Sequence, residues 1–406
     1  MTFSAVQRRD LWLLAVLRGV SFLGDSVALV TLYLRLAHFG HAWMIAALSI
    51  AAALPLVVLS PIAGIVIDHT PAKRLLSSLC VVEALVCVAI GYWHAPLTTI
   101  ALMALLSCSV AFSFPGYSAL VPKVAGEENI NKANSIMQAV VGIASVAGPG
   151  LGGLLVGLVG QSWPLYFDAG SFVVAAFATL ALVTDRRPEP GTVRPRKGER
   201  DFGAGRRILF GDPVLRPLVV TFLVFLLALI MVNVAEVFFI TRTLHASALV
   251  YGSIGASFGV GNIAGSLASP LVKQQDMHLV RACIISVGFI GVLMGAVGLV
   301  EQVTWVFPLM IVIGVGVGVI NVEFNTLMTV RTPEAQRGQM FSASNAVFTS
   351  AEIGATALGG VFLSLVAPRT LFQISGVAST MAVVILGPVA LRAARRSTPP
   401  ANDQGA

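Results

Sequence analysis

Long apolar runs alternate with short polar breaks along almost the whole chain. A helix needs about 20 apolar residues to cross the hydrocarbon core of a bilayer. Twelve runs have about that length, and they predict spans at residues 11–36, 44–67, 75–92, 97–121, 136–159, 165–183, 214–240, 249–272, 280–300, 306–328, 340–366 and 371–391. The pattern predicts an all-α integral membrane protein with twelve transmembrane helices.

One polar break, residues 184–212, is much longer than the others and is rich in Pro, Gly and Arg. It divides the spans into six and six, and its composition suits a flexible linker. We therefore predict an N-terminal six-helix bundle over 1–184, a cytoplasmic linker over 185–213, a C-terminal six-helix bundle over 214–392 and a cytoplasmic tail over 393–406.

The composition excludes several classes of function. Hydrophobic residues make up 56% of the chain and charged residues only 11%, against about 25% charged in soluble proteins. Twelve spans leave no length for a separate catalytic domain. The chain has no GxxxxGKS or GxxxxGKT phosphate loop, no CxxC pair and no metal-binding histidine spacing. We expect a protein that is not an enzyme and that has no cofactor and no metal site.

The basic residues predict the orientation. With an even number of spans, 22 of the 26 Lys and Arg residues lie on the side of both termini. Arg35, Arg242 and Arg369 lie on the other side, and Arg18 lies within a span. Positive residues are retained in the cytoplasm, so both termini are expected there, in a bacterial inner membrane. Anionic lipid explains the basic balance, so no nucleic-acid partner is expected.

A charged cluster surrounds the break between the second and third spans. Gly64 and Asp68 end one span, and Lys73 and Arg74 begin the next. Small Gly64 would let helices approach closely, and Asp68 could pair with a base in one conformation and release it in another. The alternative is an ordinary positive loop beside a helix-end Asp.

The fifth span contains Gly148, Pro149, Gly152 and Gly153 in the order GPxxGG. Glycines thin a helix surface, and a proline frees a backbone carbonyl, so the motif favours tight packing and a bend. A Gly-rich packing face without further function is the alternative. A Gly-Gly pair recurs 207 residues later, at 359–360, which fits internal duplication.

These two clusters resemble motif A and the exporter motif C of the major facilitator superfamily. His69 and Pro71 replace the basic residue and the glycine usual in motif A. Residues 21–25 and 332–338 are similar to the drug:proton antiporter-3 branch, which includes macrolide and siderophore exporters. The resemblance implies that spans one, four, seven and ten line a central cavity, and that spans three, six, nine and twelve are peripheral.

Acidic residues inside spans are the candidates for chemistry, because a charge in hydrocarbon costs about 3 kcal/mol. Asp25, Glu236 and Glu323 lie in spans that the resemblance implies to be cavity-lining, and Glu352 lies near the middle of span eleven. Span four lacks the arginine of motif B that many proton-coupled exporters carry. Arg18 is then the only deeply placed base, seven residues and about 10 Å from Asp25 on the same helix face.

Glu83 and Asp168 also lie within spans, but in spans three and six, which the resemblance implies to be peripheral. We therefore give them a lower rank than the other acids. For every acid, a hydrogen bond between helices is the alternative to a role in transport. Phe112, Phe114 and Tyr117 in span four could line an apolar substrate site or simply pack in the core.

The predicted function is secondary active transport: proton-coupled efflux of amphipathic or hydrophobic small molecules by alternating access. The expected partners are the small-molecule substrate, protons and the lipid bilayer, and the expected state is a monomer. A dedicated siderophore or lipid-derivative exporter is one alternative. A membrane sensor or scaffold that transports nothing is an alternative of another class.

Overall fold

The computed structural model describes residues 4–126, 129–183, 207, 209–269, 275–333 and 336–397. Over these ranges the chain forms α-helices and no β-strand. The long helices are α1 Ala5–Phe39, α2 Ala42–His69, α3 Ala72–Tyr92, α4 Pro96–Ala125, α5 Ile130–Val159, α6 Trp163–Ala181, α7 Leu215–Phe238, α8 Ala248–Ala268, α9 Asp276–Val297, α10 Val306–Arg331, α11 Arg337–Leu365 and α12 Pro368–Ser397. A π-helix, Phe239–Thr243, follows α7, and a short 3₁₀-helix, Val303–Trp305, precedes α10.

Eleven of these helices are long and apolar enough to cross a membrane, so the all-α membrane class is confirmed. The remaining one, α8, has 21 residues, but glycines, serines and Asn262 lower its hydropathy. A twelfth crossing and the cytoplasmic position of the termini stay predictions. Most of the predicted linker, 185–213, and the end of the predicted tail, 393–406, lie outside the described residues.

Each predicted span coincides with one helix, but most helices are longer than the apolar run. The first helix begins six residues before its predicted start, where Ser4 and Gln7 form a capping box that satisfies the free N–H groups of the first turn. Glycines with positive φ, Gly40, Gly126 and Gly160, follow the last residues of α1, α4 and α5. Local backbone chemistry, rather than hydropathy, sets these ends.

The described helices form two compact units. Unit 1 consists of α1–α6 together with residues 240–256, and unit 2 consists of α7 and the chain from residue 257 onward. In unit 1, α1 packs on α5, α2 on α4 and α3 on α6. In unit 2, α7 packs on α11 and α9 on α12, and the glycines of α8 lie against α10. The same pairing recurs six helices later, as expected of duplicated halves.

Candidate functional site

Asp25 lies halfway along α1 and lines a cavity inside unit 1. The cavity has a volume of about 180 Å³, and its walls come from α1, α2, α3, α4 and α6. Most of the lining is aliphatic, including Leu29, Leu56 and Met103, and the two acids are Asp25 and Asp168. No hydrogen bond in the part of the chain that the structure describes involves the Asp25 carboxylate. Asp25 therefore lies within the protein but faces an apolar space.

Asp168 reaches this cavity from α6, the helix that the family resemblance implies to be peripheral. Its side chain is fully buried. The Cys87 thiol donates to Oδ2 at 3.3 Å. The Ser171 hydroxyl donates to the Asp168 carbonyl oxygen at 2.7 Å and lies 3.3 Å from Oδ1. A Cβ added to Gly24 would overlap Oδ1 of Asp168. The carboxylate therefore lies directly against the α1 backbone, one residue from Asp25, and the lower rank given to Asp168 from its helix alone misses this contact.

Arg18 contacts aromatic rings of α4. Its guanidinium carbon is 4.8 Å from the centroid of the Phe114 ring and 5.9 Å from that of Tyr117, which is the range of a cation–π interaction. The Tyr117 hydroxyl lies 3.2 Å from the Cys80 sulfur and 3.2 Å from the Thr179 hydroxyl. Tyr117 thus packs in the core, whereas Phe114 is 54% exposed and covers the guanidinium.

Glu83 has the geometry of a structural carboxylate. It is buried on α3, and its Oε1 accepts hydrogen bonds from Ser109 at 3.0 Å and from Ser113 at 2.9 Å. Both serines lie on α4, so the contact joins two helices. It is the kind of interhelical hydrogen bond that polar side chains make inside membranes.

The remaining acids lie on three different helices of unit 2. Glu323 on α10 is buried, and its carboxylate accepts a hydrogen bond from Ser269. Glu236 is half-buried near the end of α7, and Glu352 is exposed on α11. Among the described residues, no hydrogen bond or ion pair joins any two of Glu236, Glu323 and Glu352.

A polar stripe on α10 is not anticipated by the sequence analysis. Asn321, Asn325 and Thr329 recur every four residues, and the two asparagines are exposed. They line an open groove on the helix surface. On α11, Thr349 and the exposed Glu352 are three residues apart and lie on one helix face. The period of four within an apolar run is the sequence signal that would have identified the stripe.

The motif A residues occupy the corner between α2 and α3. Gly64 and Asp68 lie in the last two turns of α2, and Lys73 and Arg74 lie in the first turn of α3. The Asp68 side chain lies outside what the structure describes. A Cβ at Gly64 would meet nothing within 4 Å. A close helix contact at Gly64 therefore does not form among the residues that the structure describes, and it stays a prediction for another conformation.

Polar groups of α1 and α3 bind the carboxyl end of α6. Lys73 donates to the carbonyl oxygen of Leu182, and Arg9 donates to that of Ala181 at 3.2 Å. The buried Asp10 accepts a hydrogen bond from the Val183 N–H at 3.0 Å. Cations near a helix C-terminus are stabilised by the free carbonyls and the helix dipole. Lys73 thus takes part in a helix-end contact in this structure.

The GPxxGG segment of α5 packs against two helices. Gly148 and Gly152 face α1, where a Cβ on Gly152 would be 3.1 Å from the Val27 carbonyl oxygen. Gly153 faces the first turns of α8, where its Cβ would overlap the Ala248 carbonyl oxygen and lie 2.9 Å from the Gly252 Cα. Backbone therefore meets backbone at this position, and no side chain fits between the two helices.

Three arginines that the charge count assigns to the side opposite the termini cap helix ends. Arg35 donates to the carbonyl oxygens of Ile90 at 2.7 Å and Gln161 at 3.0 Å. Arg242 donates to Ala37 and His38, at the end of α1, at 2.8 and 3.2 Å, and Arg369 donates to Val300, beyond the end of α9, at 3.0 Å.

Arg35 is a second buried base of α1. It is 2% exposed but lies in the last turns of the helix, so the prediction that Arg18 is the only base deep within a span stays a prediction. The free carbonyls at the end of α3 and beyond α5 supply partners for a guanidinium. No local pattern in the sequence predicts that these ends meet near α1.

Sequence comparison identifies the family. Residues 14–356 match the family described as Major Facilitator Superfamily. A protein named multidrug efflux pump Tap, from Mycolicibacterium fortuitum, is 25% identical over 383 residues, which cover 91% of each chain. Tap of Mycobacterium tuberculosis is 23% identical over 384 residues, covering 91% of this chain and 90% of Tap. An uncharacterized MFS-type transporter, y4rN of Sinorhizobium fredii, is 26% identical over 376 residues, covering 89% of this chain and 90% of that protein.

Solved structures share the fold. A bacterial homologue of the iron transporter ferroportin, in an inward-facing state, superposes with a TM-score of 0.72 at 17% identity, over 95% of this chain and 98% of that one. The nucleoside transporter NupG gives a TM-score of 0.72 at 14% identity, over 94% of this chain and 98% of that one. Since the family match covers most of its length, this chain belongs to the Major Facilitator Superfamily and is a multi-pass membrane transporter, not an enzyme.

Proposed function

We propose that this protein exports hydrophobic or amphipathic small molecules in exchange for protons, by alternating access. The observation that carries the proposal is the environment of Asp25 in α1. This acid has no hydrogen-bond partner among the described residues, and it faces the apolar cavity of unit 1. The relatives named multidrug efflux pumps support the substrate class. The protein is proposed to work as a monomer in a bacterial inner membrane.

Asp25 differs from the buried intramembrane acids in its hydrogen bonding. A carboxylate in hydrocarbon costs about 3 kcal/mol, so its retention needs a reason. Glu83 and Glu323 each accept hydrogen bonds from serine, and these bonds explain why an acid is retained at each position. Asp25 has no such partner, and Arg18, the base nearest to it on α1, lies over Phe114. Alternating access would move Asp25 between wet and dry surroundings, so that substrate and proton compete for it.

The proposed topology has twelve spans with both termini in the cytoplasm. Helix α8 has 21 residues, which at 1.5 Å per residue is about 30 Å, the thickness of the hydrocarbon core. The 22 basic residues on the side of the termini support the orientation. On that side, Gly64, Asp68, Lys73 and Arg74 form the proposed motif A latch.

We propose a substrate path in unit 2 along the polar stripe of α10. Exposed amides such as Asn321 and Asn325 are costly against lipid, so they are expected to face water or substrate. Glu352 shares this exposure on α11, whereas Glu236 is half-buried. In unit 1, Gly148, Pro149, Gly152 and Gly153 are proposed to act as the exporter motif C.

Efflux of ethidium from proteoliposomes tests the proposal. With an imposed pH gradient, wild-type protein should move ethidium uphill, and Asp25→Asn should abolish this movement. Asp25→Glu, which keeps the acid, should retain part of it. The matched control is Glu83→Gln, which removes another intramembrane acid but keeps its hydrogen-bond acceptor, and it should transport at the wild-type rate.

Two results would contradict the proposal. Gradient-driven efflux by Asp25→Asn at the wild-type rate would show that Asp25 does not couple efflux to protons. If the wild-type protein moved neither ethidium nor any compound from a panel of uncharged and anionic amphiphiles, a sensor or scaffold role would replace transport.

A further inference from the structure

The cavity in unit 1 is lined by two carboxylates, although the mechanism above uses only one. Asp25 enters it from α1 and Asp168 from α6. Asp25 interacts electrostatically with Asp168, and also with Glu83 and Arg18. The rest of the lining is almost entirely apolar, so both acids lie in surroundings that solvate charge poorly.

Gly24 is what allows this approach. A Cβ at position 24 would overlap Asp168 Oδ1 and lie 2.8 Å from the Ser171 hydroxyl. Any larger residue at position 24 would push the carboxylate of α6 away from α1. The juxtaposition of the two acids thus depends on a missing side chain in the residue directly before Asp25.

The other groups around the pair do not neutralise it by direct contact. The Cys87 thiol and the Ser171 hydroxyl, both neutral donors, bond to Asp168. Arg18, two turns from Asp25 on α1, interacts electrostatically with Asp25, but it lies over the aromatic rings of Phe114 and Tyr117 and, among the described residues, makes no ion pair with either acid.

The third acid of the region is elsewhere engaged. Glu83 of α3 is bonded to Ser109 and Ser113 and does not line the cavity. Asp25, by contrast, has no hydrogen-bond partner in the described part of the chain and is aimed into the cavity. A carboxylate in this position can bind a proton or a cationic group.

We propose that Asp25 and Asp168 form one proton-binding unit, in which the two acids together hold a single proton. Two carboxylates sharing an apolar site cannot both be ionised without a counter-charge. A cationic group of the substrate supplies that counter-charge, and the shared proton then leaves to the solvent. Asp168 is thus a second coupling residue, and Gly24 is a positioning residue that acts through it. This inference rests on the proposed proton-coupled function.

Proton release on substrate binding tests the pair directly. Ethidium is added to purified protein in weakly buffered detergent solution, and a pH indicator reports released protons. Wild-type protein should release about one proton for each ethidium bound. Asp168→Asn and Asp25→Asn should each abolish the release, because the remaining acid no longer has to share a proton. Glu83→Gln removes an acid that does not line the cavity and acts on the pair only electrostatically, and it should still release a proton.

A second variant covers the chance that Asp168→Asn does not fold. Gly24→Ala keeps both acids but displaces the Asp168 carboxylate, and it should reduce proton release at least about twofold while ethidium still binds. Its control is Gly170→Ala on α6, where an added Cβ meets nothing within 4 Å. That variant should behave as wild type.

The outcomes separate this inference from the proposed function. If wild-type protein binds ethidium without releasing a proton, both fail. If wild type releases a proton, Asp25→Asn does not, and folded Asp168→Asn still releases as much as wild type, the paired site is wrong and single-acid coupling by Asp25 stands. Full release by folded Gly24→Ala would likewise overturn the positioning role of Gly24.

Discussion

Replacing Gly153 by alanine should destabilise the protein, because it inserts a methyl group where two helix backbones touch. The new Cβ would overlap the Ala248 carbonyl oxygen and lie 2.9 Å from the Gly252 Cα. Ordinary contacts begin at 3.4 Å, and the nearest atom, the Ala248 carbonyl oxygen, requires α5 and the start of α8 to separate by about 1 Å. Both neighbours are backbone atoms, so no flexible side chain can yield instead.

The magnitude follows from two opposing effects. Overpacking a tight contact costs about 1–3 kcal/mol, and a contact between backbones should lie near the upper end. Replacing glycine by alanine within a helix returns about 1 kcal/mol in propensity. We therefore expect Gly153→Ala to lower the free energy of unfolding by about 2 kcal/mol. Gly142→Ala, on the same helix but with nothing within 4 Å of the new Cβ, should be neutral or stabilising by up to about 1 kcal/mol.

Thermal unfolding in detergent provides the assay, because the chain carries its own reporters. Cys80, Cys87 and Cys283 are buried free thiols, so a maleimide dye reacts with them fully only as the helices separate. Gly153→Ala should unfold at a lower temperature than wild type, and Gly142→Ala should not. Gly252→Ala, whose Cβ would overlap the Pro149 carbonyl oxygen, should resemble Gly153→Ala. Equal unfolding temperatures for Gly153→Ala and Gly142→Ala would refute the reasoning.

Three further predictions concern charged residues. Asp68→Asn keeps the shape of the side chain but removes its charge, so it should slow ethidium transport in vesicles without lowering the yield of folded protein. Transport by this variant at the wild-type rate would contradict the latch hypothesis. Arg35→Gln should cost about 3–5 kcal/mol of stability by the same dye assay, since a buried guanidinium makes two charge-assisted hydrogen bonds worth about 1.5–3 kcal/mol each. A loss no larger than that of Arg369→Gln, which removes one such bond, would contradict this. Arg331 bonds the carboxylates of Asp212 and Asp276, so Arg331→Gln should cost about 1–3 kcal/mol, and an unchanged unfolding temperature would show that the ion pairs add nothing.

The sequence by itself determines the helices. Inside a bilayer every backbone N–H and C=O must be bonded within the chain, so a long apolar run leaves the helix as the available structure. Hydropathy therefore predicts where each helix lies, and turn residues such as Gly40 and Gly160 account for ends that hydropathy places less accurately. The family resemblance is likewise local, because GPxxGG and the charged α2–α3 corner are short motifs.

Only the tertiary structure decides which faces of these helices meet. Asp168 joins Asp25 because α6 packs against Gly24, a contact between residues far apart in sequence. Arg35 is buried because the end of α3 and the turn after α5 meet beside α1. Gly64 and Gly153 look alike in sequence, yet one faces open space and the other a neighbouring backbone. Lipid enforces helix formation locally, whereas the rotation and depth of each helix depend on non-local packing. The rotation and depth of the helices determine which side chains meet at the candidate site.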